Sequence, residues 1–115
     1  MTTHAWPQEA KDMVSLKMPH ALWEISAGLH VVLESYTTND KNAVDIAHYE
    51  HNRAQYVGRT LWWIGNCKCM ADIIGDSELI TMLTLITFEL FDASVYTIEH
   101  LAELKKEFDT KWLPV

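Results

Sequence analysis

The chain has 115 residues, 49% of them apolar and 22% charged, and a formal net charge of −7. That composition fits one globular domain and excludes a disordered segment. A surface this acidic, with no basic cluster longer than Lys105-Lys106, also argues against direct contact with nucleic acid.

The first residues, Met-Thr-Thr-His-Ala-Trp-Pro-Gln-Glu, have neither the basic start nor the apolar run of a secretion signal. The most apolar region, residues 79–98, contains Glu89 and Asp92, which argues against a membrane span. A cytoplasmic protein is expected. Cys67 and Cys69 would lie on different sides of a helix, a poor geometry for a mutual disulfide, so both thiols are expected to be reduced and buried as small apolar groups.

The prolines stand at positions 7, 19 and 114, leaving a long middle in which nothing has to break a helix. Residues 1–18 read either as an arm or as a short helix from Pro7 to Leu16, with Ala10, Met13 and Val14 on a narrow apolar side. Pro19 suits a helix's first turn and opens the single helical domain, residues 19–115. From there Leu22, Ile25, Leu29, Val32, Leu33 and Tyr36 recur at steps of three and four, predicting a helix over 19–36. Thr37–Asn42 is a polar turn, and Asn42 with Asp45 resembles a capping box.

A third helix is predicted over 42–74, polar at first and apolar from Leu61 onward. Ala47, Ala54, Gly58 and Gly65 share one face of it, where a neighbouring helix could approach closely. Gly75 suits a helix C′ position, and Asp76 or Ser77 the next N-cap. A fourth helix is predicted over 77–112, with Leu83, Ile86, Leu90, Leu101, Leu104, Phe108 and Trp112 on one stripe. Phe88, Phe91, Val95, Ile98 and Ala102 form a second.

The predicted fold is therefore all-α. A long antiparallel hairpin carries a shorter packed helix and a short N-terminal segment. At 1.5 Å per residue the 19–36 helix spans roughly 25 Å and each long helix roughly 50 Å, so the hairpin tip should lie beyond the reach of its own chain. Left in water, that much apolar surface would exceed what a monomer tolerates. The tip is expected to pair in a homodimeric helical bundle, or with another protein, through Leu61, Trp62, Trp63, Met70, Ile73, Ile74, Leu79, Met82, Leu83, Ile86, Phe88 and Phe91. Trp23, Tyr36 and Trp112 are further candidate anchors.

Chemistry is sparse. Asp45, His48 and His51 could hold a metal with one more ligand, but the Glu-x-x-His pairs of di-iron bundles are absent. Cys67-Lys-Cys69 lacks structural-zinc spacing, and neither phosphate loops nor nucleophile elbows occur. No cofactor is expected, and the protein is not read as an enzyme. A homodimeric bundle that binds a metal or small ligand is the alternative reading.

The run MTTHAWPQEAKDMVSLKMPHALWEISAGLHVV, followed by the long-helix hairpin, resembles the quorum-sensing antiactivators of the QslA type. The resemblance covers the whole chain and has no short diagnostic motif. It implies a helical protein that binds the ligand-binding domain of a LuxR-type transcription factor, keeping that factor from the dimer it needs to bind DNA.

Overall fold

Val14, Met18, Ala21, Ile25, Leu29 and Val32 recur at steps of three and four, Leu22 sits beside Ala21, and all seven are buried. One helix face carries this whole stripe. In the computed structural model α1 accordingly runs unbroken from Gln8–Thr37, with Pro19 inside it. The structure describes residues 6–37, 43–94 and 97–113, except the side chains of residue 37 and residues 43–49.

Pro19 therefore does not begin a helix. Its missing N–H removes one bond of the helical ladder, but the residue is exposed, so water can satisfy the carbonyl left over. Burial of Val14 and Met18 before it, and of Ala21 and Leu22 after it, holds the two halves in line.

Three more helices follow: α2 (Ala43–Ile74), α3 (Ser77–Phe91) and α4 (Ile98–Trp112). Gly75 adopts φ 74°, the left-handed conformation that closes many helices. Asp76 caps α3, its side chain accepting from the Leu79 N–H at 3.1 Å. Both features match the sequence expectation.

The predicted fourth helix is interrupted, so it forms two. The Asp92 N–H donates back to the Phe88 carbonyl. The Thr97 hydroxyl donates to the Asp92 carbonyl at 2.9 Å and accepts from the Ser94 N–H at 3.0 Å. These bonds satisfy backbone groups that a continuous helix would have used, and they turn the chain back.

Each helix packs on the next in sequence, and α4 returns to α1. The result is a four-helix ring with neighbours antiparallel, as Arg53 on Ser35 and His20 on Trp63 show for α1 and α2. Its core holds Ile25, Leu29, Ile64, Leu79, Leu83, Ile86, Leu101 and Phe108, all fully buried.

This arrangement overturns the expected length mismatch. A 30-residue α1 spans roughly 45 Å and reaches the α2–α3 turn. Meanwhile α4 lies back along α3 to the same end, where the Trp112 indole N–H donates to the Asp76 carboxylate at 3.2 Å. The chain covers most of the tip itself. Leu79, Met82, Leu83 and Ile86, expected at an interface, are monomer core instead.

The close helix approach also sits elsewhere than expected. A Cβ on Gly28 would lie 2.1 Å from Thr60 Oγ1, whereas one on Gly58 or Gly65 would meet nothing within 4 Å among the described residues. Thus α1 and α2 approach through Gly28, and the Gly58 and Gly65 face is open.

Candidate protein-interaction surface

The large apolar residues left uncovered by the ring are unevenly distributed. Leu16 is 76% exposed and Trp23 56% on α1, Trp62 61% on α2, and Phe88 67% and Phe91 73% on α3. Met13 is exposed beside them. In contrast α4 turns Glu99, His100, Glu103, Lys106, Glu107 and Thr110 outward. The exposed aromatic surface is therefore centred on α2, opposite α4.

Local contacts fix the middle of this surface. His20 on α1 meets the Trp63 ring edge-on, with centroids 5.3 Å apart, and Trp63 meets Trp62 in the same manner at 4.8 Å. One turn further along, the largely buried Glu24 carboxylate holds Arg59 at 3.0 Å. Trp23, Glu24, Gly28, Val31, Tyr56 and Arg59 line a recess of about 170 Å³ between the two helices. Rigid aromatic faces beside a few paired charges are the composition of interface anchors.

Not all of the expected interface residues reach this surface. Leu61, Trp63, Met70 and Ile73 are half-buried against the core, and Ile74 is exposed at the tip. Tyr36 and Trp112 serve the monomer. The Tyr36 hydroxyl donates to the Ala93 carbonyl at 2.9 Å, and its ring lies 3.5 Å beneath the Arg53 guanidinium. Trp112 packs beside Phe108 and is tied to Asp76.

Leu16 and His20 were missed by periodicity, and Met13, expected on the narrow apolar side of the N-terminal segment, is exposed instead. Their signal was available: all three fall off the Val14–Met18–Leu22 stripe, so a continuous α1 must point them outward.

Among the described residues, no three histidines, cysteines or acids gather as a metal site. His51 is exposed, and the Asp45 and His48 side chains and Asn42 lie outside the described residues. His100 and Glu89 pair at 2.8 Å between α4 and α3. Lys111 pairs with Glu78 across the same two helices, and that hydrogen bond holds the ammonium above its usual range.

The two cysteines divide, Cys67 being buried and Cys69 exposed. Burial pushes the Cys67 thiol up to about 12, with the Asp76 charge adding to the shift. An unfolded thiol ionises near about 8.5. The stability gained by keeping Cys67 neutral is thus intact below that pH and disappears as the pH rises toward 12. In a thiol-labelling experiment Cys69 should react at once and Cys67 only on unfolding. Rapid labelling of both in the native protein would contradict the packing of α2 described above.

No protein-family model, curated protein or solved structure matches the chain.

Proposed function

We propose that this protein is a regulator that acts by occupying another protein, namely the ligand-binding domain of a LuxR-type transcription factor. Occupation blocks dimerisation of that factor and hence its DNA binding, which makes the chain a quorum-sensing antiactivator. The observation that carries the reading is the outward Trp23 on α1, set beside the Trp63–Trp62 pair and the Glu24–Arg59 recess. Dimer surfaces of soluble regulators are apolar at their centre, and a rival surface with aromatic anchors competes for them. The net charge of −7 keeps the chain itself off DNA, so the effect on transcription runs through protein contact. The N-terminal resemblance to the antiactivators supports the same choice of partner.

Titrating a panel of purified LuxR-type ligand-binding domains with the full chain tests the proposal. One of them should bind, and its dimer should dissociate in sedimentation. Trp23→Ser with Leu16→Ser should weaken that binding roughly 30-fold or more, the scale of an anchor residue. Both side chains are exposed, so the helical content should be unchanged. Absence of binding across the panel, or binding indifferent to the double substitution, would count against the reading.

A further inference from the structure

Arg59 holds its carboxylate loosely. A guanidinium and a carboxylate can share two parallel N–H bonds, but Arg59 donates through Nη2 alone, to Glu24 Oε2 at 3.0 Å. His20 Nε2 stands 3.8 Å from the second oxygen, Oε1, beyond hydrogen-bond reach. The Glu24 side chain is 12% exposed, whereas that of Arg59 is 57% exposed. A largely buried carboxylate thus keeps one oxygen without a hydrogen-bond donor among the described residues.

The neighbouring ring is held no more firmly. Arg59 lies 5.9 Å from the Tyr56 centroid, at the outer limit of a cation–π contact. The same chain shows a committed guanidinium elsewhere. Arg53 lies 3.5 Å over Tyr36 and donates to both the hydroxyl and the carbonyl of Ser35. Trp23 supplies the recess with a second, exposed aromatic side chain, while Ala27 and Gly28 add little bulk to its lining.

We propose that this recess receives an arginine side chain of the bound protein, and that Arg59 is a plug that yields to it. The identity of that protein rests on the proposed function; the chemistry rests on the recess. An incoming guanidinium donates to both Glu24 oxygens and stacks on Trp23 and Tyr56, a pairing that suits its planar fork and not the compact ammonium of lysine. Arg59 is already half in water, so its release costs little. The net charge of −7 draws a cationic side chain toward the face.

N-acetyl-arginine amide, titrated into the full chain and followed by the NMR amide shifts of Gly28 and Tyr56, tests this. Arg59→Ala should bind it with a Kd on the order of 1 mM, the level of a fragment of this size. The wild type should bind roughly ten-fold more weakly, because the plug leaves the site open only part of the time. Added to Arg59→Ala, Glu24→Gln should weaken binding by about ten-fold or more, and Trp23→Ser by about five-fold. Arg59 and Trp23 are exposed, so their replacement should leave the helical content unchanged. N-acetyl-lysine amide should bind about ten-fold more weakly than the arginine compound. An Arg59→Ala variant that binds arginine no better than the wild type, indifference to Glu24→Gln or Trp23→Ser, or equal binding of lysine overturns the assignment. A LuxR-type domain that docks on this face while arginine fails to bind also overturns it, and leaves the proposed function standing.

Discussion

Replacing Phe108 with alanine should lower the unfolding free energy by about 3–5 kcal/mol, read from denaturant titration at fixed protein concentration. Phe108 is wholly buried and is the largest fully buried side chain of α4. The helix has 15 residues, a length at which isolated helices are marginal in water. Ile98, Leu101, Leu104 and Phe108 hold it in place by packing. Removing the ring leaves a cavity between α4 and the rest and loosens the stacked Trp112. Domains of this size are stable by about 5–15 kcal/mol, so the variant should be partly unfolded under mild heating. A loss below about 1 kcal/mol would mean that α4 does not seal the bundle.

Gly28→Ala should be destabilising by about 2 kcal/mol, although alanine is the better helix former by about 1 kcal/mol. Sterics decide the sign. The added methyl would stand 2.1 Å from Thr60 Oγ1 and 3.3 Å from Thr60 Cβ, and a short β-branched side chain on a helix has few rotamers to retreat into. The hydroxyl it meets is fully buried and has no hydrogen-bond partner among the described residues. Thr60→Ala removes both the obstacle and the unsatisfied oxygen, so Gly28→Ala with Thr60→Ala should recover most of the loss. A double-mutant cycle should show coupling of about 1–3 kcal/mol. Independent effects would mean that α1 and α2 do not meet at this point.

Much of this architecture was legible in the sequence, and the errors have identifiable causes. Gly75 and Asp76 announced the α2–α3 turn because positive φ and capping demand particular residues. Pro19 misled because its ring is compatible with an exposed position inside a helix. The stripe that crosses it, Val14–Met18–Ala21–Ile25, was the stronger signal. The break at Asp92 was hidden by phase. Leu90 and Leu101 are 11 residues apart, close to three helical turns, so the stripes of two separate helices read as one. The polar Ser94 and Thr97 between them marked the turn.

The surface was only partly readable for a different reason. Periodicity groups Leu83 with Ile86 and sets Phe88 apart, but it does not say which group faces water until the packing partner is known. Once α1 reached the tip, Leu79, Met82, Leu83 and Ile86 went inside, and Trp62, Phe88 and Phe91 stayed out.

The ring of helices also bears on how quickly the chain can find its shape. Joining α1 to α2, α2 to α3 and α3 to α4 requires only neighbouring segments to meet, a topology associated with rapid folding. One joint is different. Where α4 closes on α1, the Ser26 hydroxyl donates to Asp109 at 2.6 Å across 83 residues of sequence, and the entropy of bringing the ends together falls on that step. Closure of this last seam is the natural bottleneck of folding and the natural first opening of the native state.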